Sequence, residues 1–329
     1  MIKQDIFSKI LGCLFGVAIG DALGAPVEFM SLSEIKEKFS KDGITDFYPW
    51  GGFKPGSYTD DTQMSIATAT GCIQASKLLK EKGINYLLQS VYRQYLGWLH
   101  AMDDPFQVRG PGNTCLNALR SRKMGSIKNR INNSKGCGGV MRVAPVGLVF
   151  YPEISFQIGA ECAAITHGHP SGYLSAGVLS AIISYLIAGK GLVEAVELSK
   201  VFLKRYEGYR ETLNKIEQAI QLQDSDLPVD EAISQIGKGW VGEEALGIAI
   251  YCALRFPENW GKGVLAAANH SGDSDSTASI TGGISGALMG IEAIPAHWVE
   301  KVENSEKIKD LANNLFAIYR DDNKIPDEI

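Results

Sequence analysis

Two short acidic clusters stand far apart in the chain, and each combines carboxylates with hydroxyls. The first runs from Thr59 to Thr62 (TDDT) and the second from Asp273 to Thr277 (DSDST). Carboxylates held this closely repel one another, and neither cluster contains a Lys or Arg. A divalent cation that prefers oxygen ligands would supply the compensating charge. The clusters therefore predict a hard-metal site, although each also fits the N-cap and acidic first turn of a helix.

Two sets of glycines, each spaced every fourth residue, lie close to these clusters in the sequence. Glycine costs up to about 1 kcal/mol relative to alanine inside a helix, so its repeated use needs a structural return. On one helix face, glycines at this spacing let a second backbone approach closely. We therefore expect the two ends of the chain to pack together and their acids to converge. The two sets are Gly12, Gly16, Gly20 and Gly24, and Gly282, Gly286 and Gly290.

Composition favours one large helical domain covering residues 1–329. The chain has 329 residues, of which 45% are hydrophobic, and no Pro/Ser-rich or low-complexity linker divides it. Apolar residues recur at helical spacing and strand-like alternation is scarce, which predicts an all-α fold. The residues predicted to separate successive helices are Gly83, Gly125, Pro170, Gly191, Pro228 and Pro295. The segment from Ser31 to Tyr58 is predicted to be non-helical, as a lid or as a solvated crossover.

Charge and cysteine usage narrow the class of protein. The net charge of -5 comes without a basic stripe, which disfavours binding to nucleic acid. The six cysteines form no CxxC pair and fit reduced, buried thiols. The N-terminus lacks a signal-peptide pattern, and the most membrane-like segment, Leu174 to Ala188, is shorter than the ~20 residues of a membrane span. We expect a cytoplasmic protein without a membrane partner.

At this point the sequence resembles the ADP-ribosylglycohydrolase family. Six stretches carry the resemblance in the family's order: GCLFGVAIGDALGAPVEFM, YTDDTQMS, RGPGNTC, GCGGVMRVAPVGL, THGHP and SGDSDSTASITGGISGALMG. The resemblance implies a compact, single-domain, all-α fold with a dinuclear site for two magnesium or manganese ions. It also implies cleavage of an ADP-ribosyl bond at the anomeric carbon of the distal ribose, with ADP-ribose as a product.

The resemblance assigns metal ligands to both acidic clusters. Several family members have Thr where this chain has Ser276, a change that keeps the hydroxyl. A water shared by two ions about 4 Å apart would lose a proton near neutral pH and attack the anomeric carbon. The implied ligands are Thr59, Asp60, Asp61, Asp273, Asp275 and Ser276.

Further residues gain roles from the same resemblance. Catalysis is assigned to Glu28, Asp61 and Asp273, with Glu28 as a ligand or an acid–base group. Asp21 fits a ligand contact or a buried structural network. His169 is read as a helix-start residue and Arg142 as a buried, paired side chain. The implied substrate-binding residues are Asp21, Gly112, Asn113, Thr114, Gly138, Gly139 and His167.

The resemblance implies a metal-dependent hydrolase that removes ADP-ribose from protein side chains, and analogy with the bacterial branch of the family favours arginine. Serine and ester linkages stay open at this point. The alternative is an immunity or binding protein that neutralises an ADP-ribosyltransferase toxin by occlusion, with or without hydrolysis. Retention of every matched metal acid favours hydrolysis.

Overall fold

A computed structural model of the protein describes residues 2–320, which form sixteen α-helices, four short 3-10 helices and no β-strand. The predicted helical class is thereby confirmed for the described part of the chain. The 3-10 helices are Ala25–Val27, Pro105–Gln107, Cys137–Gly139 and Ile291–Ala293. The α-helices are α1 Ile2–Gly24, α2 Leu32–Lys38, α3 Asp60–Ser76, α4 Leu79–Ala101, α5 Asn113–Arg120, α6 Ala144–Gly147, α7 Pro152–Ala164, α8 Pro170–Ile187, α9 Leu192–Leu203, α10 Arg210–Gln223, α11 Val229–Ile236, α12 Gly242–Arg255, α13 Trp260–Ala268, α14 Ser274–Met289, α15 Ala296–Lys301 and α16 Ser305–Arg320.

Helices α1 and α14 pack backbone against backbone along the two glycine sets. A Cβ atom placed on Gly12 would lie 2.5 Å from the carbonyl oxygen of Gly286, and one placed on Gly16 would overlap the carbonyl of Gly282. Nothing larger than glycine fits such a crossing. The predicted packing of the two chain ends is confirmed, and it brings the start of α14 beside the end of α1.

Most predicted helix boundaries coincide with the observed ones. Pro170 is the first residue of α8, while Gly191 and Pro228 are the N-caps of α9 and α11. Gly83 lies within the segment called α4, where its non-helical backbone, with φ of +70° and ψ of −178°, separates two helical pieces at a kink, as predicted. A residue without a Cβ adopts that backbone conformation at no steric cost.

The segment between Ser31 and Tyr58 corrects one prediction, because it is not wholly irregular. Helix α2 begins there with a capping box, in which the Ser31 hydroxyl accepts from the Glu34 amide and the Glu34 carboxylate accepts from the Ser31 amide. The Ser-x-x-Glu pattern was readable in the sequence. Whether the remainder of the segment closes over a ligand stays a prediction.

Two stretches, Asp5–Val27 and Pro170–Ile187, are long and apolar enough to cross a membrane by length and composition alone. In the fold, however, 94% and 89% of their apolar windows are buried. Helix α8 is surrounded by other helices along nearly its whole length, as a central helix of a folded core is. Its apolar character is therefore accounted for by packing inside the protein.

Candidate active site

The N-termini of α3 and α14 meet, and a side-chain hydrogen bond joins the two acidic clusters. The Ser276 hydroxyl donates to Asp61 Oδ2 over 2.8 Å, across 215 positions of sequence. Beside this contact lies an open cavity of about 350 Å³. It is lined by Glu28, Phe29, Asp60, Asp61, Gly110, Pro111, Gly112, Asn113, Thr114, Cys115, Gly136, Cys137, Gly138, Met141, His167, Trp240, Asp273, Asp275 and Ser276.

Asp21 uses its carboxylate to hold the start of α3. Its Oδ1 accepts from the Thr59 amide at 2.9 Å, and its Oδ2 accepts from the amide and hydroxyl of Thr62 at 3.0 and 2.5 Å. Asp21 is fully buried and is not among the cavity-lining residues. The structure thus places Asp21 in a buried network, and its contact with substrate stays a prediction. Thr62, the last residue of the TDDT cluster but not one of the predicted ligands, is part of that network.

A group of acids in the cavity is close enough to share one cation. Oxygens of Glu28, Asp273 and Asp275 lie within 4.8 Å of one another. Asp273 caps α14, with its side chain accepting from the Ser276 amide at 3.3 Å. The cap and the cation site are therefore compatible uses of one residue, so the two readings of the DSDST cluster do not compete.

Burial and mutual repulsion disfavour the charged forms of these carboxylates. Burial, followed by the charge of Asp275, raises the pKa of Asp60 and of Asp273 well above their usual range. The same causes, in the same order, raise the pKa of Asp21 to about 7 and that of Glu28 to about 10, with Asp273 adding to the effect on Glu28. Such a cluster is short of positive charge, which a divalent cation with oxygen ligands would supply.

The predicted ligand set is therefore brought together in space. Asp60, Asp61, Asp273, Asp275 and Ser276 all line the cavity. Thr59 is buried next to them as the N-cap of α3, and its side chain accepts from the Asp61 amide at 3.2 Å. The donor set, carboxylates with hydroxyls, fits magnesium or manganese in kind. The number and identity of the ions stay predictions.

Two glycine-rich loops, the RGPG turn at residues 109–112 and the GCGG stretch at residues 136–139, form another wall of the cavity. Gly112 is the N-cap of α5, and no side chain caps that helix. Asn113 and Thr114 begin the helix and line the cavity, and the Thr114 hydroxyl lies 3.0 Å from that of Ser134. The free amides of such a helix start suit an anionic oxygen. Gly138 also lines the cavity.

Gly139 is buried and does not line the cavity. A Cβ atom placed on it would lie 2.9 Å from the carbonyl oxygen of Gly172 in α8. The structure therefore gives Gly139 a packing function beside the cavity, and its predicted contact with substrate stays untested.

The three other residues singled out in the sequence are also placed. His167 is buried and lines the cavity, and burial followed by the nearby Arg142 lowers its pKa to about 3. His169 is the N-cap of α8, where Nδ1 accepts from the Ser171 amide at 3.1 Å, as predicted. Arg142 is buried, as predicted, but in the described part of the chain it is not paired with an acid: its guanidinium donates to the Cys162 carbonyl and the Thr166 hydroxyl and lies 4.3 Å from the centre of the Tyr95 ring.

Several side chains of this cavity were not predicted from the sequence, among them Phe29, Trp240 and Cys137. Phe29 and Trp240 stack at its mouth with ring centroids 5.1 Å apart, and Phe29 is 76% exposed with a positive φ of 68°. The Cys137 thiol donates to Asp273 Oδ2 at 2.8 Å. The strained, exposed aromatic next to Glu28 had no sequence signal. Cys137, between the glycines of the GCGG stretch, did have one.

Comparison with known proteins finds matches along nearly the whole chain. The sequence model of the family described as ADP-ribosylglycohydrolase matches residues 2–324. The chain is similar to an ADP-ribosylarginine hydrolase of Serratia proteamaculans, with 27% identity covering 95% of this chain and 80% of that protein. It is also similar to the ADP-ribosyl-dinitrogen reductase glycohydrolase of Rhodospirillum rubrum, with 26% identity covering 92% of this chain and 93% of that protein.

A solved structure shows the same fold. A chain from an "ADP-ribosylglycohydrolase-related protein complex" superposes with a TM-score of 0.68 at 23% identity, covering 96% of this chain and 99% of that chain. At that level of identity the likeness concerns the arrangement of helices alone.

Proposed function

The chain belongs to the ADP-ribosylglycohydrolase family and is an enzyme that hydrolyses ADP-ribose glycosyl bonds, and we propose that its substrate is protein ADP-ribosylated on arginine. The Serratia proteamaculans relative, which is named an ADP-ribosylarginine hydrolase, supports this linkage. An occluding immunity protein is not favoured, because these relatives are named as hydrolases and the cavity keeps its acids.

One observation carries the proposed mechanism: the hydrogen bond from Ser276 to Asp61 joins the acids of α3 and α14 at the wall of a single cavity. The metal ions would be held by the predicted ligands of the two clusters. When bound, they supply Lewis acidity and lower the pKa of water. Carboxylates beside the anomeric carbon stabilise the oxocarbenium-like charge that develops as the glycosyl bond breaks.

The remaining residues orient the substrate in this proposal. The glycine-rich loops and the start of α5 bind the pyrophosphate by donating hydrogen bonds from backbone amides to its oxygens. Binding of this kind needs no basic side chain. Glu28 lies among the acids at the open side of the cavity, next to Phe29. It serves there as a metal ligand or as the group that exchanges a proton with the leaving group.

The test is release of ADP-ribose from an ADP-ribosylarginine protein and, in parallel, from an ADP-ribosylserine peptide, each with magnesium, manganese or EDTA. The active-site variant is Asp60→Ala with Asp61→Ala. The matched control is Asp226→Asn with Glu258→Gln, two exposed acids that do not line the cavity. We expect metal-dependent release from arginine that only the active-site variant loses. Release of ADP-ribose from the serine peptide alone would overturn the proposed linkage. Release that EDTA does not affect would overturn the proposed metal dependence.

A further inference from the structure

A buried arginine without a carboxylate partner lies behind His167. In the described part of the chain, Arg142 forms no ion pair, and its Nη2 donates to the Cys162 carbonyl at 3.0 Å and to the Thr166 hydroxyl at 2.7 Å. Arg142 and Thr166 are both fully buried. A guanidinium can only donate hydrogen bonds, so Thr166 Oγ1 is the acceptor in this contact.

The Thr166 hydroxyl then has one hydrogen left to donate. Two acceptors are in reach: His167 Nδ1 at 2.8 Å and the Ala163 carbonyl at 3.5 Å. The Ala163 carbonyl already accepts from the amides of Thr166 and His167, at 3.1 and 2.9 Å. The contact with His167 Nδ1 is the shorter one, and the Ala163 carbonyl already accepts two other hydrogen bonds, so the hydroxyl donates to Nδ1. A neutral imidazole that accepts at Nδ1 carries its proton on Nε2.

The other ring nitrogen faces the glycine wall of the cavity. A Cβ atom placed on Gly136 or Gly138 would lie 3.4 or 3.3 Å from His167 Nε2, and both glycines line the cavity. We propose that Arg142 and Thr166 are positioning residues that fix His167 as its Nε2–H tautomer, so that the ring donates a hydrogen bond to a phosphate oxygen of ADP-ribose. The opposite tautomer would present a lone pair to that oxygen and repel it.

The inference rests on the proposed function only for the identity of the ligand. The nearby positive charge of Arg142 and the burial of the ring both oppose a charged imidazolium, so the ring stays neutral across the working pH range. A neutral ring can donate from only one nitrogen, which is why its tautomer decides binding. The contact with Thr166 therefore controls a property of His167 that the ring cannot set alone.

The first experiment reads the tautomer in the ligand-free protein. Long-range ¹H–¹⁵N spectra of histidine-labelled protein resolve at most five imidazoles, since the chain has five histidines. His167→Gln assigns the signal. We expect the Nε2–H pattern for wild type and Thr166→Ser, and a loss of that pattern for Thr166→Val. The His270 signals serve as an internal control, because that ring contacts Thr277 instead.

The second experiment measures ADP-ribose binding and steady-state kinetics on the same proteins. For Thr166→Val we expect Kd and KM to rise about tenfold with kcat within about twofold, as for loss of a contact made equally in the ground and transition states. Thr166→Ser should stay within about twofold of wild type. An Nδ1–H pattern in wild type would overturn the proposal, as would unchanged ADP-ribose affinity in a folded Thr166→Val. Because the tautomer is read without substrate, absence of hydrolysis would overturn the proposed function and leave this inference standing.

Discussion

At the scale of single residues, the acids at the start of α3 and α14 are poorly suited to a stable protein without a cation. Their raised pKa values mean that the folded state binds protons more tightly than the unfolded chain does, whose carboxylates titrate near pH 4. The stabilising effect of these acids on the metal-free protein is therefore greatest at low pH and is lost as pH rises from about 4 through their folded pKa values. Without a cation, the clustered acids therefore lower the stability of the folded protein near neutral pH, while the same acids are the predicted ligands of the metal.

Asp61→Asn should consequently stabilise the metal-free protein while abolishing activity. The amide keeps an acceptor for the Ser276 hydroxyl and removes one of the mutually repelling charges. We expect the free energy of unfolding in EDTA to rise by about 1 kcal/mol at pH 8, the scale of one pKa unit, and by less at pH 5. Urea denaturation at the two pH values measures both numbers. A variant less stable than wild type at pH 8 in EDTA would contradict the electrostatic account.

At the scale of helices, the close crossing of α1 and α14 is what brings the two clusters together. The spacing of the glycines allowed this crossing to be predicted from sequence, because glycines repeated every fourth residue on one helix face are typical of a close helix crossing. The acids could be placed for the same reason. Other parts of the site have no such local signature: Trp240 meets Phe29 only because the chain folds back over more than two hundred residues. The irregular backbone of Phe29 likewise follows from its tertiary surroundings.

Gly16→Ala should therefore be far more damaging than an ordinary glycine-to-alanine change in a helix. Its Cβ would overlap the Gly282 carbonyl, and both backbones would have to separate. We expect a loss of more than about 3 kcal/mol of stability, in the range of severe overpacking, together with loss of activity.

The matched control for this prediction is Gly97→Ala in α4. Gly97 is exposed, and a Cβ atom there would have no neighbour within 4 Å. Higher helix propensity should stabilise this variant by up to about 1 kcal/mol. Urea denaturation of both variants gives the comparison. Equal effects at the two positions would refute the importance of the crossing.

At the scale of the whole molecule, a partly buried ion pair connects the C-terminal part of the chain to the start of α3. Arg109 donates to both carboxylate oxygens of Glu303, at 2.5 and 2.9 Å, and to the Tyr58 carbonyl at 3.0 Å. The carbonyl of Arg109 in turn accepts from the Asp60 amide at 3.0 Å. The start of α3 is thus held by contacts from residues 21 and 109, and residue 109 is in turn held by Glu303, so disturbance of one affects the geometry of the acids.

Glu303→Gln tests this connection at a distance from the cavity. The amide cannot accept both guanidinium bonds, so a charge-assisted, bidentate contact is lost. We expect a loss of about 1 to 3 kcal/mol of stability and weaker metal binding, measured by urea denaturation and by magnesium titration calorimetry. Glu306→Gln, on the exposed start of α16, is the control and should change neither quantity. Unchanged metal affinity in a destabilised Glu303→Gln would show that the ion pair supports the fold alone.

Because the acids come from both ends of the chain, a cation bound between them should stabilise the molecule as one unit. We expect a single thermal transition in EDTA that magnesium moves to higher temperature as a whole. At a magnesium concentration one hundred times Kd the gain is about 2.7 kcal/mol, which corresponds to roughly 4 °C for a chain of this size. The shift should be larger at pH 8 than at pH 6, since raised carboxylate pKa values make protons compete with the metal.

Asp273→Asn with Asp275→Asn should lose the shift while keeping the transition. Two transitions, only one of them moved by metal, would show that the halves of the chain fold independently and that the metal site does not couple them.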